Sequence, residues 1–219
     1  MKKVLNIIAT LALVISMLVT PAVVSAATKK PAPISKNRLI NLSDSLIKEA
    51  INIGNNETSK VSDVLAKYSL NLNPNSKYET LELFTPDVSL ITPYKGIILE
   101  SWKARMDGLD YTIADAKNSL KKNGSNIYIS IQAYGTSVSF AQLCTVTLIQ
   151  NGKVIKPVSL SKDKIADTTY SWPKGAAYKA GILAAYNVNQ IDINKPFTFV
   201  YGYLDHYKYE YIVDLRNYK

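Results

Sequence analysis

The stretch Phe197-Thr-Phe-Val-Tyr-Gly-Tyr-Leu-Asp-His-Tyr-Lys-Tyr-Glu-Tyr-Ile-Val-Asp-Leu215 decides how the chain is read. Phe197, Phe199, Tyr201 and Tyr203 alternate with Thr198, Val200 and Gly202. Further on, Tyr209, Tyr211, Val213 and Leu215 alternate with Lys208, Glu210, Ile212 and Asp214. A period of two is that of a strand with one buried face, so the stretch predicts an antiparallel hairpin. Its register follows from parity, because a slip of one residue turns a whole strand over. A loop of two or four residues would set the Phe/Tyr row beside Lys208, Glu210 and Asp214. An odd loop, Asp205-His206-Tyr207, sets aromatic against aromatic. The expectation is an odd connection, an aromatic face inward, a charged face outward, and His206 in solvent at the tip.

Upstream, Leu143–Gln150 and Lys153–Leu160 flank Asn151-Gly152. Asn-Gly between apolar runs is a strong hairpin signal, because both residues of a tight two-residue turn need positive φ. A two-residue loop pairs Leu148 with Ile155 and Val146 with Pro157. Cys144 shares that face and reads as a buried, inert thiol. Asn126–Tyr134 is the clearest single strand, with Ile127, Ile129, Ile131 and Ala133 on one face and Tyr128, Ser130, Gln132 and Tyr134 on the other. The segment Ile97–Ala104 also reads as a strand by alternation, with Trp102 in the core.

Toward the N-terminus the period lengthens. Leu39, Leu42, Leu46, Ile47, Ala50 and Ile51 recur at spacings of three and four, which predicts a helix stopped by Gly54-Asn55-Asn56. A second helix follows, with Ser59 as cap and Val61, Val64, Leu65 and Tyr68 on its apolar side. Asn71–Ser76 reads as a turn or linker. Thr112-Ile113-Ala114-Asp115 has the spacing of a capping box and starts a short helix that Asn123-Gly124 closes. Several short strands with turn signals between them favour a mainly β chain: an antiparallel β-sandwich, with an immunoglobulin-like architecture as one form of it, preceded by a helical hairpin.

Met1-Lys2-Lys3, the uncharged run Val4–Val19, the breaker Pro21 and the small residues Val24-Ser25-Ala26 form the pattern of a secretory signal peptide. Four segments are expected: 1–26 signal peptide, 27–38 flexible leader, 39–76 helical hairpin, 77–219 β-sandwich. The chain of 219 residues carries 26 Lys+Arg against 17 Asp+Glu, a formal charge of +9, and loss of Lys2 and Lys3 with the signal leaves +7. Such a balance suits an anionic neighbour. The lysines are scattered and arginine is confined to Arg38, Arg105 and Arg216, which is not the concentrated stripe of a nucleic-acid groove. Once the signal is removed, no stable membrane insertion is expected. One Cys and one His leave no disulfide framework and no His/Cys metal cage, and no cofactor is expected.

Catalytic patterns are sparse. No Gly-x-Ser-x-Gly elbow occurs. Ser-x-x-Lys recurs at Ser45/Lys48, Ser119/Lys122 and Ser159/Lys162 without its companion motifs. Glu100 with Asp107 or Asp110 would be the carboxylate pair of a glycan hydrolase, against the simpler reading of Glu100 as an exposed strand residue. What remains is a binding surface. Fifteen tyrosines and two tryptophans offer flat apolar faces with a polar handle. In Tyr170-Ser171-Trp172-Pro173-Lys174-Gly175, a loop, Tyr170, Trp172 and Lys174 are the candidate ligand-binding residues. The expected function is an exported, non-enzymatic binding or accessory module of the cell envelope, secreted and associated with the cell wall through an anionic polymer, a glycan or a protein. Its rivals are the hydrolase and an assembly protein that pairs through a sheet edge.

Overall fold

The computed structural model describes Pro33 and residues 39–218, save 57, 205 and 206. The expected signal peptide, nearly all of the leader, and His206 lie outside the described residues. The chain is a mixed helix–sheet protein with two antiparallel sheets. The first sheet runs in the order β1 (Asp87–Ile91), β2 (Asn126–Gly135), β7 (Tyr178–Asn187), β5 (Ser159–Lys162), with β6 (Asp167–Thr168) also on β7. The second runs β4 (Lys153–Ile155), β3 (Thr145–Gln150), β8 (Phe197–Tyr203), β9 (Tyr207–Val213).

The register of the C-terminal hairpin follows the parity rule. Tyr201 faces Tyr209 and Phe199 faces Tyr211, with ring centroids 5.8 and 6.1 Å apart. The connection is Leu204–His206, one position earlier than expected, and Leu204 takes positive φ (51°) to turn it. Both even sums of residue numbers keep aromatic on aromatic, so the faces are unchanged. Asn151 and Gly152 adopt φ of 51° and 73°, and Leu148 pairs with Ile155 as the two-residue loop requires.

That second hairpin is shorter than its apolar run. β4 stops at Ile155, and by Val158, whose N–H donates to Ala185 O at 2.8 Å, the chain has crossed to the first sheet. Pro157, which has no N–H to donate to a ladder, sits at the crossing and pairs with nothing in the second sheet. One apolar cluster draws on both sheets, with Ile127, Ile129, Ile131, Ile182 and Ala184 from the first and Leu148, Phe199, Tyr201, Tyr209 and Tyr211 from the second.

Helices α1 (Asp44–Asn55), α2 (Thr58–Ala66), α3 (Pro93–Met106) and α4 (Ile113–Asn123) build a second cluster, against which Tyr128 and Leu183 pack. Since Tyr128 alternates with Ile127 and Ile129, the helices lie on the opposite face of the first sheet from the second sheet.

Four expectations are corrected here. Ile97–Ala104 is not a strand but the middle of α3, started by Thr92, whose side chain accepts from Lys95 N–H, with Pro93 in the first turn. Neighbours on several sides bury Tyr94, Lys95, Ile97, Ile98, Leu99, Ser101 and Trp102, so no one-sided stripe marks the helix in sequence. Trp102 is core, but as a helical residue. Ser59 lies within α2 instead of capping it, and α1 begins at Ser43 and Asp44, past Leu39. Gly54 is an interior position of α1, and its role is contact: a Cβ there would sit 2.5 Å from Ile98 O and 2.8 Å from Trp102 N. The capping box at Thr112 and Asp115 is present, and Gly124 closes α4 with φ 59°.

The segment read as a linker does more than connect. Leu70 N–H donates to Val88 O and Leu90 N–H to Tyr68 O, both at 2.8 Å, along the outer edge of β1. Farther on, Asn73 N–H donates to Glu210 O at 2.7 Å and Lys208 N–H to Glu79 O at 3.2 Å, along the outer edge of β9. Residues 68–79 thus cover one edge of each sheet, which removes open pairing groups.

Candidate functional site

The loop that joins β6 to β7 carries all three candidate residues, and its backbone is held from within. Thr169 N–H donates to Ala177 O at 2.8 Å and Lys174 N–H to Ser171 O at 2.8 Å. Thr169 Oγ1 and Ser171 Oγ both donate to Ala176 O, at 2.7 and 3.2 Å. Ala176 and Ala177 are buried beneath, and Gly175 turns the chain with φ 65°. With Ser171 engaged inward, its neighbours face out: Tyr170 is fully exposed, Trp172 is 54% exposed and Lys174 lies in solvent. A braced loop that holds two aromatic side chains in water has already lost the backbone conformational entropy that binding would otherwise cost. Burying one such side chain under a ligand stabilises by roughly 1.5–3 kcal/mol.

Sequence reasoning missed Leu83 beside this loop and the exposed apolar residues of the segment before β6. Leu83 lies beside Gly175, its Cδ1 3.6 Å from where a Cβ would stand, and is half exposed. Ile165 is largely exposed, and Ala166 N–H ties its segment to Val138 O at 2.8 Å, Val138 being exposed too. Ile165 stands alone in Lys162-Asp-Lys-Ile-Ala166, and that isolation was the only available signal. Leu83 reaches Gly175, and Val138 reaches Ala166, through long-range folding.

Glu100 is placed differently from its expectation. It sits on α3, partly buried, and accepts from Tyr111 OH on one oxygen and from Ser119 Oγ at 2.6 Å on the other. Asn123 Nδ2 donates to Ser119 Oγ and Tyr128 OH to Asn123 Oδ1, both at 3.3 Å. Burial, reinforced by the Glu100 charge, pushes the Tyr111 hydroxyl far above its ordinary pKa, so it remains a donor. The adjoining cavity of about 30 Å³ has room for about one water. Asp107 is held by Lys103 at 2.9 Å. The arrangement ties α4 to α3.

Two further groups have altered chemistry. Cys144 is buried with Sγ 3.0 Å from Tyr201 OH, and burial raises its pKa, which disfavours the thiolate. Lys95, which the sequence did not single out, is fully buried, its Nζ has no hydrogen-bond partner among the described residues, and burial lowers its pKa to about 7. Its Nζ lies 5.1 Å from the centre of the Tyr68 ring. Among the described residues no group of three His, Cys, Asp or Glu side chains gathers to hold a metal, and no helix is long and apolar enough to cross a membrane. No protein-family model and no curated protein sequence matches the chain.

Proposed function

We propose that this protein is an exported, non-enzymatic binding or accessory module of the cell envelope, a β-sandwich backed by helices that touches its partner through the Tyr170–Lys174 loop. The observation that carries the reading is the braced loop, which offers Tyr170 and Trp172 to solvent with Lys174 beside them. A single apolar cluster shared by two antiparallel sheets supports the sandwich. Export rests on residues 1–26, and attraction to an anionic polymer, glycan or protein of the wall rests on the basic balance. The rivals draw less support. Both oxygens of Glu100 have donors and Asp107 has Lys103, which argues against a free acid–base pair. The outer edges of β1 and β9 are covered, and β4 and β5, with three and four residues, offer little for a partner strand.

The test compares wild type with Trp172→Ala in pull-down on purified cell walls at low and physiological ionic strength. Attraction between exposed lysines and a polyanion is largely screened near 0.15 M salt, where the Debye length is about 8 Å; aromatic stacking is not. The expected outcome is binding that persists at the higher salt and falls by about tenfold or more on Trp172→Ala. Salt-resistant binding unchanged by the substitution removes Trp172 from the site, and no binding at either salt removes the envelope role.

A further inference from the structure

At the other end of the sheets from the aromatic loop, the β3–β4 turn and the segment after β7 border a shallow, solvent-open cavity of about 420 Å³, lined by Asn151, Lys153, Val154, Lys156, Gln190 and Asp192. Its walls are fixed by one buried side chain. Gln150 donates from Nε2 to Asp192 O at 2.9 Å and to Lys195 O at 3.0 Å, and accepts from Asp192 N–H at 2.8 Å. The turn is stiff as well, since Asn151 and Gly152 both hold the positive φ that a two-residue hairpin needs. The concavity is therefore formed before any ligand arrives.

Its chemistry is specific in kind. Lys153 and Lys156 are exposed, and among the described residues neither has a carboxylate within ion-pairing distance. The one acidic group, Asp192, is offset by Lys195, whose Nζ lies 3.5 Å from Oδ2, and its other oxygen accepts from Asn194 N–H at 3.1 Å. Two free ammonium groups suit an anion that accepts point charges, as phosphate does. The Asn151 and Gln190 side chains supply donors and acceptors for hydroxyls. Val154, 62% exposed, adds an apolar patch for the carbon face of a small ring or chain. The volume fits one small ligand unit. We infer that this cavity binds a phosphorylated sugar or polyol, the phosphate between Lys153 and Lys156 and the hydroxyls on Asn151 and Gln190. The inference stands apart from the aromatic loop, with which the cavity shares no residue.

Glucose 1-phosphate, glycerol 1-phosphate and inorganic phosphate would be titrated into the isotope-labelled protein and followed by amide chemical shifts. The expected result is saturable change confined to residues 150–156 and 188–195, at least fivefold tighter for the two organic phosphates than for inorganic phosphate. Lys153→Gln with Lys156→Gln should weaken it at least fivefold while leaving the folded spectrum intact, and Trp172→Ala should leave it unchanged. Displacement of the protein from phosphatidylglycerol vesicles by glycerol 1-phosphate would assign the ligand to a lipid headgroup; absence of vesicle retention would assign it to a free sugar or polyol phosphate. Equal affinity for inorganic phosphate, shifts spread over Lys117, Lys121 and Lys174, or titrations unaltered in the double variant would overturn the inference. None of these outcomes depends on wall binding through Trp172.

Discussion

Lys95 shows most clearly how one residue can set the response of the protein to pH. Among the described residues its ammonium has no hydrogen-bond acceptor, and burial brings its pKa from 10.5 to about 7. The face of the Tyr68 ring returns about 1–2 kcal/mol to the charged form, far less than water would. Below pH 7 both folded and unfolded chains hold the proton, and the contribution is flat. Between 7 and 10.5 the unfolded chain binds a proton that the folded chain has released, so stability rises with pH. From pH 7 to 9 this amounts to about 2–3 kcal/mol. Above 10 the trend reverses, because buried tyrosines such as Tyr94, Tyr186 and Tyr211, with pKa values raised chiefly by desolvation, keep protons that the unfolded chain loses. Denaturant melts at pH 7, 8 and 9 should show this rise. Lys95→Met should stabilise the protein at pH 7 by about 2–4 kcal/mol and flatten the profile over that range. A profile as steep in Lys95→Met as in wild type would mean that another group titrates.

Two glycines inside helices make opposite predictions at the scale of the element. Gly54 lets α1 lie directly on α3: a Cβ would meet Ser101 Oγ at 1.8 Å and backbone atoms of Ile98 and Trp102 below 3 Å. Backbone cannot rotate away as a side chain can, so Gly54→Ala must push the two helices apart, at a cost of about 3 kcal/mol or more. Gly96 lies in the first turns of α3, and none of the described residues outside that helix comes within 4 Å of its missing Cβ. Gly96→Ala should therefore stabilise by about 0.5–1 kcal/mol, through the smaller entropy that the helix must lose. Paired urea denaturations of the two variants check both signs, and Gly54→Ala as stable as wild type would contradict the contact.

Across the whole molecule, the first sheet belongs to two cores at once. Ile127 and Ile129 enter the core between the sheets while Tyr128 packs with the helices, so neither layer can lose its packing without exposing a face of β2. Single-step unfolding is the expected behaviour. The two tryptophans make this measurable. Trp102 lies within the helical cluster, and Trp172→Phe leaves it as the sole indole. Trp102 fluorescence would report the helical layer, and near-ultraviolet dichroism of the tyrosine-rich inter-sheet core would report the rest. The two thermal transitions should coincide within about 1 °C, and separated midpoints would show two cooperative units.

Where one interface governs a segment, its neighbours along the chain carry the information. The pairing of Phe199 with Tyr211 follows from alternation and parity, the Asn151-Gly152 turn from the φ angles it needs, and the start of α4 from Thr112 and Asp115, because each is a local constraint. The Tyr170–Lys174 loop was also legible as a loop, whereas the Ser171 and Thr169 bonds to Ala176 O that hold its aromatics outward required the folded chain. Helix α3 was misread because burial on several sides erased its period, and β7, with Ala180, Gly181, Ala184 and Ala185, carries too little β-branched signal to mark a central strand. Leu83 beside Gly175, residues 68–79 along two sheet edges, and Gln150 fastening the basic cavity join positions far apart in sequence. Such contacts exist only once the core has brought the segments together, so packing decided them and local pattern could not.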